Sequence, residues 1–269
     1  MISKGNMQHI HNAIQSFNQL VGRTYLICFN GSTSQELRMI EIVITEKNFW
    51  HLSGCRIDDS LSSNASQKKQ LYRDCLSYKD ISKYLNYTDE PKDVKIKCTV
   101  LQNLFNFITN AKVLSIIDTV HTPEQYMFSL GVGTNQGLIG YIQNKHLYFP
   151  KTAQDKSVFI KKAVKNKIRV ILSKPSTSLE YGKLEYEAGN GLFAKLSVQL
   201  YGSYRLSPDL IELIPNDSID INKIKKAILY IIRLSKTAAK ENLISFELSG
   251  LENEIFYIVI HPQRTGSDT

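Results

Sequence analysis

Two periods of apolar residues alternate along the chain. Ile10, Ile14, Phe17 and Leu20 recur at helical spacing and predict a helix over 6–20. "RTYLICFN" (23–30) and "RMIEIVIT" (38–45) are rich in strand formers and flank the turn signal Asn30-Gly31-Ser32, so they predict paired strands. From 66 to 111 the period is 3.6. Leu71, Cys75, Leu76, Tyr84 and Leu85 fit short helices, and "CTVLQNLFNFITNA" (98–111) predicts a helix buried over a wide face.

Beyond Ala111 the period returns to two. "KVLSIID", "QYMFSLGVG", "GLIGYIQ" and "KHLYFP" predict four short strands, and their brief joints suit an antiparallel meander over 112–150 packed on the 98–111 helix. "IRVILS", "KLEYEAG", "FAKLSVQLYG" and "LIELIP" extend the strand-like pattern. "DINKIKKAILYIIRLSKTAAKEN" predicts one long helix with Asp220 as N-cap, and "IFYIVIH" a last strand. Strands, then helices, then more strands make the class α+β, with no βαβ alternation. The expected division is a domain over 1–155 and, over 156–269, a β-rich region with a long helix, as extension or second domain.

A chain of 269 residues can bury a sizeable core. No apolar run approaches the ~20 residues that span a bilayer. The opening "MISKGNMQHIHNAIQSF" lacks the apolar centre of a signal peptide, so the expected setting is cytoplasmic, away from membranes. Cys28, Cys55, Cys75 and Cys98 form no C-x₂-C pair; reduced thiols and no metal site are expected. The net charge of +8 makes a polyanion a natural partner, although a solvated basic surface reads the same way.

The sole tryptophan stands in "EKNFWHLSGC" (46–55), next to His51, with Ser53 and Gly54 following. His51 is open to two readings: a packing residue whose ring nitrogens bond backbone groups, or an acid–base group. Ser53-Gly54 can equally be a turn or a helix start. Neither a P-loop nor a dinucleotide-binding glycine pattern is present, and "SLEYGKLEYEAG" (178–189) repeats Leu-Glu-Tyr without an assignable chemistry.

Taken together, "IEIVITEKNFWHLSG", the helical stretch with "KIKCTVLQNLFNFI", and "LIGYIQNKHLYFPKT" resemble the phage-associated branch of the barnase–EndoU–colicin–RelE-like nucleases, known as PBECR. The resemblance covers roughly residues 23 to 155. It implies helices packed on a four-stranded antiparallel sheet and metal-independent cleavage of RNA. Carried over residue by residue, it points to His51, Ser53 and Gly54, and to Lys97 in the central helix.

Such cleavage needs a base for the ribose 2′-OH, an acid for the 5′-oxygen and a cation for the phosphorane, and yields a 2′,3′-cyclic phosphate. The candidate catalytic residues are His51, Ser53, Lys97, His121 and His146, with Trp50, Tyr148 and Lys151 as substrate contacts. No cofactor and no metal are expected. The expected partner is RNA, with an immunity or antitoxin protein and a second copy of the chain as further candidates. The competing class is a non-catalytic module binding nucleic acid or protein, of phage or toxin–antitoxin origin.

Overall fold

The computed structural model describes residues 2–30, 37–62, 65–88, 90–118, 128–134, 136–155, 164–201 and 203–213, and the strands Leu243–Glu247 and Ile255–Val259. The long helix expected from Asp220 lies outside the described residues. Two compact units are formed, Met1–Leu179 with Lys183–Leu192, and Glu180–Gly182 with Phe193–Thr269.

The first unit opens with α1 (Lys4–Asn18), capped by Ser3 Oγ, which accepts from Asn6 N. Then come β1 (Arg23–Asn30), β2 (Leu37–Val43), α2 (Glu46–Leu52), β3 (Cys55–Ile57), α3 (Asp59–Ser62) and α4 (Ala65–Leu76). A single 3₁₀ turn leads into β4 (Leu85–Tyr87), followed by α5 (Pro91–Leu104). Strands β5 (Ser115–Asp118), β6 (Leu130–Thr134), β7 (Gly137–Asn144), β8 (Leu147–Asp155), β9 (Lys165–Pro175) and β10 (Lys183–Glu187) complete it.

The meander expected over 112–150 is present: β5, β6, β7 and β8 pair antiparallel in succession. The helix against it differs in its limits. It starts at Pro91, whose fixed φ suits a first helical position, with Glu90 and Asp93 in a capping box. It stops at Leu104, because the buried Phe105 and Phe107 sit in turns of the core rather than on a helical face.

A four-stranded sheet is too small a description. The strands form one mixed eight-stranded sheet in the order β1-β2-β8-β7-β6-β5-β9-β10. A further pairing of β1 with β9 closes seven of these strands into a ring, with β10 attached to β9. Among the described strands of this sheet the parallel pair is β2 with β8, with Ile42 opposite Tyr148. β1 is buried at every position from Thr24 to Phe29, as a strand covered on both faces must be. Tyr25, Ile27 and Phe29 join the core built by α1, α2, α4 and α5, whereas Leu26 and Cys28 point away from it.

The second unit takes in α6 (Leu192–Tyr201) from Phe193 onward, α7 (Pro208–Glu212), and the antiparallel hairpin of β11 (Leu243–Glu247) and β12 (Ile255–Val259). Two stretches read as strands are helices. In "FAKLSVQLYG" the alternation Ala194, Leu196, Val198, Leu200 competes with the helical set Phe193, Ala194, Ser197, Leu200, and all four of the helical set are buried. In "LIELIP" the helix follows from Ser207, whose Oγ accepts from Leu210 N, and from Pro208 in the first turn. Among the described residues, no helix is long and apolar enough to cross a membrane.

Candidate functional site

The segment "EKNFWHLSGC" folds as helix α2 and its exit. Asn48 Oδ1 accepts from Thr45 N and Thr45 Oγ1, at 3.0 and 2.8 Å, which fixes the start of the helix directly after β2. At the other end Ser53 N donates to Phe49 O and Gly54 N to His51 O. Gly54 takes φ +80°, the left-handed turn that commonly ends a helix, and a Cβ there would lie 3.2 Å from Lys97 Cδ. His-Leu-Ser-Gly is therefore a helix terminus. Phe49 and Leu52 enter the core, and His51 is left on the exposed side.

That exposed side borders a cleft of about 710 Å³ lined mainly by three elements. From α2 come Glu46, Lys47, Trp50 and His51; from β3 come Cys55, Arg56 and Ile57. α4 supplies Ala65, Lys68, Lys69 and Tyr72, spaced i, i+3, i+4, i+7, which is one face of a helix. Asp59 and Thr88 complete the lining.

Trp50 and Tyr72 are nearly buried and meet edge to face at 6.5 Å, so they form a stiff wall. The Tyr72 hydroxyl donates to Asn18 Oδ1 at 3.2 Å, and burial pushes its pKa above the ordinary 10. Below the cleft, Asp58 Oδ1 accepts from Ser60 N and Oγ, and Asp58 Oδ2 accepts from Asn86 of β4. The Ser60 hydroxyl, then the Ser60 amide and Asn86, hold the Asp58 carboxyl below the usual carboxylate value. This ties β3, β4 and α3 together, and Thr88 N donating to Gly54 O anchors the end of α2 to the same floor.

The electrostatics are one-sided. Lys47, Arg56, Lys68 and Lys69 stand against Glu46 and Asp59, a surplus of two positive charges in the cleft that His51 lines. Such a cleft can take a phosphate-bearing ligand and place an imidazole beside it.

Of the residues picked out in the sequence, Trp50 and His51 line this cleft together. Ser53 is fully buried, and its Oγ donates to Trp50 O at 2.8 Å. Lys97 lies half-buried against Gly54, outside the lining. His146 sits exposed in the two-residue turn between β7 and β8, beside Lys145 at φ +57°. Tyr148 packs half-buried on the core, and Lys151 is exposed on β8; neither lines the cleft. His121 lies outside the described residues.

Four cations that sequence reasoning passed over line the same cleft as His51. For Lys68 and Lys69 the signal was available, since their spacing to Tyr72 places them on one face of α4. Arg56 and Lys47 become neighbours of that face only through the tertiary fold. The four cysteine side chains are buried, and burial pushes the thiols of Cys28 and Cys75 up to about 12. Among the described residues, no three His, Cys, Asp or Glu side chains are grouped to hold a metal ion.

No curated protein and no solved structure matches the chain. The family model for phage-Barnase-EndoU-ColicinE5/D-RelE like nuclease4, in contrast, matches residues 9–189, a span that holds the cleft and the ten described strands of the first unit. Covering well over half of the chain, that match makes this protein a member of the phage-Barnase-EndoU-ColicinE5/D-RelE like nuclease4 family.

Proposed function

We propose that the protein is a metal-independent endoribonuclease of phage or toxin type, with His51 at its reacting centre. One observation carries the reading: His51 is exposed in a cleft whose walls supply four cations and two aromatic rings.

Cleavage through the ribose 2′-OH asks for two proton transfers and for stabilisation of a dianionic phosphorane. His51 serves one transfer, because an imidazole both takes and gives a proton near neutral pH. The carboxylates of Glu46 and Asp59 line the same cleft and are the candidates for the other. Lys47, Arg56, Lys68 and Lys69 attract the backbone and offset the charge that develops on phosphorus. The products are a 2′,3′-cyclic phosphate and a free 5′-OH. A toxin of this kind calls for an immunity or antitoxin protein able to cover the cleft.

The test is incubation of purified protein with RNA in EDTA, followed by analysis of the product ends. Cleavage that persists, with cyclic phosphate ends, supports the proposal. His51→Ala should lower the rate by about 10²–10⁴-fold. A folded His51→Ala protein that cleaves like the wild type removes His51 from the mechanism. Should the wild type bind RNA without cleaving it, the same basic cleft belongs to a binding module.

A further inference from the structure

The second Leu-Glu-Tyr of "SLEYGKLEYEAG" delivers Glu185 into a polar cluster on the sheet. Arg23 and Tyr25 are two apart on β1 and share a face. Ser173 of β9 lies opposite Tyr25, and Lys183 of β10 lies opposite Ser173. Three neighbouring strands therefore bring these side chains together by register alone. A bulge between Leu184 and Tyr186 turns Glu185 into the group.

The bonds within it are short. Arg23 Nη2 donates to Ser173 Oγ at 2.6 Å, and Ser173 Oγ donates to Glu185 Oε1 at 2.6 Å. Arg23 Nη2 also stands 3.7 Å from Glu185 Oε1, and Lys183 Nζ stands 2.8 Å from Glu185 Oε2. Both carboxylate oxygens are thus engaged. Two cations against one carboxylate leave one net positive charge.

Two donors in this cluster are left over. Tyr25 Oη and Arg23 Nε are buried and have no hydrogen-bond partner among the described residues. The Tyr25 side chain is fully buried, edge-on to Phe107 at 4.9 Å, and burial keeps its hydroxyl protonated. A buried donor without an acceptor is costly, so two in one cluster call for a ligand that brings acceptors. Towards solvent the cluster ends in Arg23, 32% exposed, and Lys183, 61% exposed, so the ligand would enter from that side.

We propose that Arg23, Tyr25 and Lys183, braced by Glu185 and Ser173, form a binding site for a phosphate-class oxyanion. A tetrahedral oxyanion offers several acceptor oxygens, enough for a phenol, a guanidinium N–H and an ammonium at once. The ligand is a free phosphate, a phosphate end of a nucleotide, or a phosphodiester within a strand. None of these residues lines the His51 cleft, so the site stands apart from the cleavage reading and can hold or fail without it.

The test is titration of the intact protein with inorganic phosphate at constant ionic strength, by calorimetry and thermal shift. Wild type, Tyr25→Phe and Lys183→Gln are compared. Tyr25→Phe keeps the ring against Phe107 and removes only the donor. Each variant is expected to weaken the phosphate affinity about tenfold or more, the usual worth of a hydrogen bond to a charged group. Any phosphate taken up by the His51 cleft contributes equally to all three proteins and cancels in the comparison. Wild-type affinity in both variants overturns the proposal. If Tyr25→Phe does not fold, Lys183→Gln decides alone, since Lys183 is a surface residue. A nucleoside 5′-monophosphate and a dinucleoside monophosphate then separate the sources: whichever loses affinity in the variants names a terminal phosphate or an internal diester.

Discussion

The Ser53 hydroxyl donates to the carbonyl of Trp50 at 2.8 Å, entirely out of solvent. This bond finishes α2 just beyond His51, so the serine beside the imidazole is placed to support the helix rather than to meet a substrate. Ser53→Ala should cost about 1 kcal/mol of stability, because it leaves a buried carbonyl short of one donor. His51→Ala should change stability by less than about 0.5 kcal/mol, since the side chain is exposed. Chemical denaturation of the two variants checks the pair. Equal losses in both would mean that His51 packs more tightly than its exposure indicates.

Gly54→Ala should be more damaging than its size suggests. The residue holds φ +80°, where a Cβ costs about 1–2 kcal/mol, and that Cβ would press on Lys97 Cδ at 3.2 Å. The lysine stem can yield, so the backbone term dominates. A loss of about 1 kcal/mol or more is expected by urea denaturation. A D-alanine at the same position, introduced by peptide ligation, should restore most of it, and a failure to do so would locate the strain elsewhere.

The fold was legible where one period dominates, as in α1, β1, β2 and the β5–β8 meander, each of which follows a clean period in the sequence. It was not legible where two periods coexist. In α6 the strand-like set and the helical set overlap, and only packing selects between them. The ring closure could not be read at all, because it depends on β1 meeting β9 across nearly 150 residues of chain, with Tyr25 opposite Ser173. The candidate site divides in the same way. His51 and Trp50 are adjacent in sequence and stay together in the cleft. Lys68 and Lys69 arrive from a helix that the sequence presents only through its apolar positions, Leu71, Cys75 and Leu76.

Those two lysines give a quantitative expectation for RNA binding. If both meet the phosphate backbone, Lys68→Gln with Lys69→Gln should weaken binding of single-stranded RNA and flatten the dependence of log K on log salt by about 1.4. The slope is the informative quantity, because a fold defect lowers affinity at all salt concentrations alike. Filter binding from low to physiological salt measures it. An unchanged slope would show that the strand does not run along α4.

His11 makes stability depend on pH from well outside the cleft. It is buried on α1, edge-on to Tyr78 at 5.3 Å, with Nε2 lacking a partner among the described residues. Burial lowers its pKa below the ordinary 6.5, while the Lys79 backbone and the Asp80 carboxylate pull weakly the other way. The unfolded chain therefore takes up this proton more readily than the folded one. The contribution is complete above about pH 6.5 and is lost as pH falls from there to the folded pKa; below that the loss is constant. Asp74 and Asp80 are held below their ordinary 3.8 and act only in stronger acid, so the two effects separate. Urea denaturation from about pH 7.5 to about pH 5 should show stability falling in the wild type. His11→Gln should flatten that fall whatever it does to the absolute stability. An identical slope in both proteins would show that the imidazole keeps its unfolded pKa inside the fold, with the Lys79 backbone and Asp80 fully offsetting burial.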